Sequence, residues 1–360
     1  LPDRDLVSHP VSADQVKFQN WRMLNVDNLV IGQLEEMSPG QYSVTFELFD
    51  VFRGKRLTGA TFPAAERDLR RVAHHISDLI YEALTGERGA FNTQIAYVTS
   101  SGSSKNKTYT LLVADSDGYS PQTILTSKQP LMSPSWSPDG RRIAYVSFEN
   151  KTAEIYIQEV VSGARRKLAS FKGINGAPSW SADGRKLALT LSRDGNPEIY
   201  TMNVDGGDLR RLTNSAAIDT EPVWAPDGKS IVFTSDRGGS AQLYRVSSSG
   251  GAAQRLTFDG KYNAGADISP DGRKLAMVHG EGGRYRIAVL DLDTGLMRIL
   301  TDGQLDESPS FSPNGSMIIY ATGAGNREGL SAVSVDGRFR QRLSLQAGNV
   351  REPVWSPFGK

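Results

Sequence analysis

A large apolar residue returns along this chain at a nearly fixed interval. Trp136, Trp180, Trp224, Ile268, Phe311 and Trp355 are separated by 44, 44, 44, 43 and 44 residues. Each is followed by the same order of signals: a turn, usually Asp-Gly or Asn-Gly, then a β-rich run, a polar gap, a second run, another turn and a third run. In the unit that begins at Val223-Trp224, the turn is Pro226-Asp227-Gly228 and the runs cover 231–234, 242–246 and 254–257. Asp-Gly between two β-rich runs marks a hairpin, because its backbone tolerates the positive φ of a tight turn. Four short strands in a period near 44 residues predict the blades of a β-propeller, each burying its faces against its neighbours.

The ends of the repeat region set the number of blades. Trp355 is followed only by Ser356-Pro357-Phe358-Gly359-Lys360, so the last unit stops in its first hairpin. The run Ile95-Ala96-Tyr97-Val98 has the form of the missing partner strand, and no anchor-and-turn segment precedes it. Residues 95–360 number 266, about six periods. The sequence therefore predicts a mainly β chain whose six-bladed propeller is closed by its C-terminal strand, since a closed ring leaves no end blade unpaired.

Residues 1–90 lie outside the repeat and read as a small α/β domain, with the propeller over 91–360. Ser12 and Gln15 have capping-box spacing, which predicts a helix from there through Phe18 and Trp21. Strands are expected over 29–34, 42–51 and 56–62, and apolar residues spaced by three and four from Leu69 to Leu84 predict a helix ending before Gly86. His74 and His75 are adjacent on that helix and diverge by about 100°, so they do not chelate one metal together.

Charge and motifs exclude several functions. A net charge of +1 argues against a nucleic-acid partner. The chain contains no apolar run near the roughly 18–20 residues needed to cross a bilayer, and so is not expected to span a membrane. It has no cysteine, and it begins at Leu1 without a methionine or the charged and apolar regions of a signal peptide, so any export signal is expected to lie outside this sequence. His9, His74, His75 and His279 lack metal-site spacing, and no nucleophile elbow or phosphate loop is present. Asp115-Ser116-Asp117-Gly118 is read as a hairpin turn, because the later ligands of a calcium loop are missing.

Attention therefore falls on the segments that lead into each anchor strand, because the innermost strand of a blade lines the central channel. They read Leu131-Met132-Ser133, Asn175-Gly176-Ala177, Asp219-Thr220-Glu221, Asn263-Ala264-Gly265, Asp306-Glu307-Ser308 and Arg351-Glu352. Met132, Asn175, Asp219, Thr220, Glu221, Asn263, Asp306, Glu307, Arg351 and Glu352 are the candidate contacts of a peptide or protein at the channel mouth. The loops at 100–106, 148–151, 193–196, 236–240, 280–284 and 323–327 open on that same face.

Several repeat segments carry a family resemblance: Asn196-Pro197-Glu198-Ile199-Tyr200, Thr220-Glu221-Pro222-Val223-Trp224, Phe233-Thr234-Ser235-Asp236-Arg237, Leu305-Asp306-Glu307-Ser308-Pro309 and Val335-Asp336-Gly337-Arg338-Phe339. Together with the α/β domain they resemble the TolB family, periplasmic components of the Tol-Pal system of Gram-negative bacteria. The resemblance implies a non-enzymatic adaptor in the periplasm, monomeric, whose propeller binds the lipoprotein Pal and supports outer-membrane integrity and constriction during division. It makes the ten mouth residues the candidate Pal site. It further implies exploitation by colicins, and an N-terminal segment ahead of Leu1-Pro2-Asp3-Arg4 that engages TolA. No cofactor is expected, although a channel cation such as calcium is compatible with the acidic mouth. The alternative is a propeller enzyme, such as a metal-dependent lactonase or hydrolase. A lactonase would require a carboxylate and amide cluster in the channel.

Overall fold

The computed structural model describes residues 10–103, 105–324, 327–343 and 349–359. Leu1-Pro2-Asp3-Arg4, His9, Ser104 of the 100–106 loop, and Gly325 and Asn326 of the 323–327 loop lie outside the described residues. The polypeptide divides into two compact units, Leu1–Asn92 and Thr93–Lys360.

The first unit is an antiparallel meander of Asn28–Ser38, Gln41–Asp50 and Lys55–Ala65, with the helix Leu69–Thr85 against its second and third strands. One apolar cluster gathers Val16, Trp21, Leu29, Ile31, Phe49 and Val51. Phe62 stacks on Phe46 and meets the edge of His75, which gives that histidine a packing role. The long helix stops at Gly86, whose φ of 79° is the left-handed cap that glycine adopts without steric cost. The expected capping box does not form. Ser12 makes no side-chain cap bond and flanks only a 3-10 turn, Ala13–Gln15, while Phe18–Met23 is a separate helix. Gln15 does reach back, but to the Val11 N–H at 3.0 Å.

The second unit is built of six antiparallel groups of four strands. The innermost strands are Asn349–Trp355, Leu131–Trp136, Asn175–Trp180, Asp219–Trp224, Tyr262–Ile268 and Leu305–Phe311, and each touches the next in a closed cycle. Asn349–Trp355 pairs with Gln94–Ser101, 248 residues earlier at its closest, with Trp355 opposite Ile95. The C-terminal strand thus completes the first blade. Six apolar clusters lie between successive blades, the closing one joining Ile95 and Tyr97 to Ile319, Leu330 and Val350. Second strands such as Lys186–Leu191 are buried on both faces for this reason, and read as continuous apolar runs.

The repeated turn works by a different device from the one its sequence suggests. In Ser137-Pro138-Asp139-Gly140, only Gly140 takes a positive φ, 68°. Asp139 acts through its side chain, accepting from Ser137 Oγ at 2.5 Å and Arg141 N at 3.1 Å. The same pattern returns at Asp183, Asp271 and Asn314. Hydrogen bonds from Ser181 and the Arg185 N–H hold the Asp183 carboxyl below its ordinary value.

The anchors are not equivalent. Trp136, Trp180 and Trp355 donate their indole N–H to Val354 O, Ser135 O and Thr93 Oγ1, whereas the buried Trp224 Nε1 has no partner. Phe311 already fills this position in the sixth blade. Trp180→Phe is therefore expected to cost about 1–2 kcal/mol through the orphaned carbonyl, while Trp224→Phe loses no hydrogen bond and costs distinctly less. Denaturant titration of the two variants measures the difference.

Candidate functional site: the channel mouth

The mouth is shaped by a backbone irregularity that recurs in every inner strand. Ser133, Ala177, Glu221, Gly265, Ser308 and Glu352, at equivalent positions, all have φ between 46° and 61°. The ladder register shifts there in each blade, between Met132 and Ser135 in one and Thr220 and Val223 in another. A bulge of this kind re-aims side chains and ends pairing. Only one of the six is glycine, so five carry a left-handed backbone that costs on the order of 1–2 kcal/mol per residue. Hydrogen bonds between blades offset this at some of the sites. Glu221 accepts from Gly265 N at 3.0 Å and Thr234 Oγ1 at 2.9 Å, and Glu352 accepts from Ser133 N.

The ten candidate contacts separate into two groups. Asn175, Asp219, Asn263 and Asp306 turn inward and are fully buried, so the accessible mouth does not include them. Their position follows the bulge, since they precede it by two residues and face between the strands. Asn175 bonds Phe171 N and O at 2.9 and 2.7 Å. Asp219 pairs with Arg237 at 2.6 Å. Asn263 bonds Gln242, Asp259 O and the buried His279. Asp306 accepts from Thr322 Oγ1 at 2.7 Å. Buried polar groups need such partners, and these four brace the lead-in loops.

The other six are more accessible: Glu221, Arg351 and Met132 are exposed, and Thr220, Glu307 and Glu352 half-buried. Burial pushes the Glu352 carboxyl above its ordinary value, and the like charges of Glu307 and Glu221 add to that shift against the Ser133 N–H. Three carboxylates thus share one field. Among the described residues, no three acidic or histidine side chains are close enough to hold a metal ion.

Sequence reasoning missed an apolar arc beside this acidic centre. Ile174, Ile218, Tyr262 and Leu305, each preceding a buried Asn or Asp, are 47%, 51%, 36% and 42% exposed. Tyr262 meets the edge of Tyr285 at 5.3 Å, and Tyr285 is bridged to Leu305 in the next blade. The signal was available as a large apolar residue at one fixed offset.

Comparison with known proteins places this architecture. A family model described as the TolB beta propeller domain matches residues 81–359, and one described as the TolB amino-terminal domain matches residues 1–57. The chain belongs to the TolB family. The chain is 61% identical over 350 residues to the Tol-Pal system protein TolB of Thioalkalivibrio sulfidiphilus, covering 97% of this chain and 80% of that protein. With the Tol-Pal system protein TolB of Xanthomonas campestris it shares 54% over 176 residues, 49% of this chain and 40% of that protein. The crystal structure of TolB from Acinetobacter baumannii superimposes with a TM-score of 0.93 at 44% identity, covering 99% of this chain and 89% of that one. The resemblance read from the repeat segments is thus shown for both units, as is the mainly β, propeller-bearing fold class. Among the described residues, no helix of this TolB-family chain is long and apolar enough to cross a membrane.

Proposed function

We propose that this chain is a non-enzymatic periplasmic adaptor of the Tol-Pal system, and that its propeller mouth binds the lipoprotein Pal. The observation that carries the reading is the mouth itself: a carboxylate centre of Glu221, Glu307 and Glu352 flanked by the exposed arc Ile174, Ile218, Tyr262, Tyr285 and Leu305. Fixed charge beside exposed aromatic and aliphatic anchors is the composition of a protein-binding surface. Close relatives whose name places them in the Tol-Pal system support the choice of partner. Through Pal, the adaptor would serve outer-membrane integrity and constriction during division, and the same surface would be open to colicins. Engagement of TolA would fall to an N-terminal segment, and the adaptor would act as a monomer.

An enzymatic reading lacks comparable support. A metal lactonase needs a clustered ligand set, and among the described residues no three histidine, aspartate or glutamate side chains gather where they could hold a metal ion. Pal binding is therefore expected to be the same with calcium and with a chelator.

Calorimetric titration with the soluble domain of Pal tests the proposal. Glu221→Ala and Tyr262→Ala should each weaken binding by about 1–3 kcal/mol. Asp306→Ala should instead lower the melting temperature, because its carboxylate is buried on Thr322. Wild-type affinity in both mouth variants would move the Pal site elsewhere.

A further inference from the structure

The opposite end of the channel holds a cavity of about 390 Å³ bounded by residues of all six inner strands, which places it on the propeller axis. Its wall is formed by the anchors, including Trp136, Trp180, Trp224, Phe311 and Trp355, with prolines and serines of the repeated turns between them. Asp267 is the single titratable side chain on this lining. Its Oδ2 accepts from Phe311 N at 2.7 Å and its Oδ1 from Ile268 N at 2.9 Å, and Ser310 adds a further hydrogen bond. Bonds from neutral donors leave the carboxylate's charge uncompensated, and no lysine, arginine or histidine lines the cavity.

Fold alone does not ask for this charge. The equivalent positions in the other blades are Ser135, Ser179, Val223, Ser310 and Val354. Ser179 and Ser310 already accept the next anchor's N–H, at 3.3 and 3.1 Å. An aspartate at this point therefore adds a negative charge to an aromatic-walled cavity whose size suits a small ligand. One carboxylate without further acidic or imidazole groups does not make a metal site. One anionic oxygen on an apolar wall instead suits an organic monocation, held by a charge-assisted hydrogen bond with its alkyl part against the anchors.

We propose that this cavity binds a protonated primary amine, of the class of a lysine side chain or an alkylammonium ion, with the ammonium on Asp267 and the alkyl chain among the indoles. The site is separate from the acidic mouth. Four of the five tryptophans line it, so intrinsic fluorescence reports its occupancy. The probe is butylammonium chloride at pH 8, with butan-1-ol and sodium chloride as neutral and ionic-strength controls. A saturable fluorescence change is expected for butylammonium and for neither control. Asp267→Ser, which installs the residue native to three other blades, should weaken that binding roughly tenfold or more. Wild-type protein at pH 4.5, below the value of about 6 to which burial pushes the Asp267 carboxyl, should show the same loss, so the proposal stays testable even if the variant folds poorly. No saturable response, an equal response to butan-1-ol, or equal affinity in Asp267→Ser and at both pH values would overturn it.

Discussion

Asp219→Ala should destabilise the propeller by about 3 kcal/mol, because it removes the fully buried partner of an ion pair whose guanidinium is only partly buried. Asp219 is fully buried and its Oδ2 lies 2.6 Å from Arg237 Nη2. The guanidinium is also held over Phe233 and Tyr244, at 5.3 and 5.0 Å from the ring centroids, and its Nε donates to Ser235 at 2.9 Å. Without the carboxylate, Arg237 would keep its confinement and lose its counter-charge. For a unit of this size the loss corresponds to a fall in melting temperature of about 10 °C. Calorimetry of wild type and variant measures it. If the melting temperature stayed within about 2 °C while affinity for Pal collapsed, Asp219 would be a contact residue, and the division of the mouth into buried and accessible groups would be wrong.

Asp267→Ser should change the pH dependence of the propeller's stability. Burial pushes the Asp267 carboxyl from 3.8 up to about 6, against hydrogen bonds from Phe311, Ile268 and Ser310 that favour the anion. The folded protein therefore holds this proton more tightly than the unfolded chain. Its contribution is most favourable below pH 3.8 and is lost as pH rises to about 6. Serine does not titrate. The stability of Asp267→Ser relative to wild type should thus move in the variant's favour by up to about 3 kcal/mol between pH 3.5 and pH 8. Urea unfolding at the two pH values measures the double difference, and a parallel pair of profiles would mean that the native carboxyl titrates like an ordinary aspartate.

Much of the mouth could be read from spacing, and its errors have one physical source. The 44-residue period locates every inner strand, and Asn175-Gly176, Asp219-Thr220 and Asp306-Glu307 fall at or next to the start of theirs. Which member of each segment reaches solvent depends on a left-handed residue that follows it. Nothing in Ala177, Glu221 or Ser308 announces a positive φ, since such residues rarely adopt one. The bulge turns the Asn or Asp inward onto the loop and leaves the apolar residue before it exposed. Polarity alone therefore predicted the reverse order. The capping box failed for a related reason: Ser12 and Gln15 had the right spacing, but the backbone continued as a 3-10 turn that Ser12 does not cap.

Local signals along the chain specify the periodic architecture: four strands per unit, glycine at the turns, an apolar anchor at each channel wall, and a first blade completed by the last strand. These follow from local signals repeated often enough to be unambiguous, because turn chemistry and strand alternation act within a few residues. Which polar groups meet is settled by the folded ring. The pairing of Asp219 with Arg237, the shared field of Glu221, Glu307 and Glu352, and the uncompensated charge of Asp267 within the anchor ring each join or isolate residues far apart in the chain. Electrostatic interaction depends on distance and burial after the ring has closed, and the repeat period carries neither.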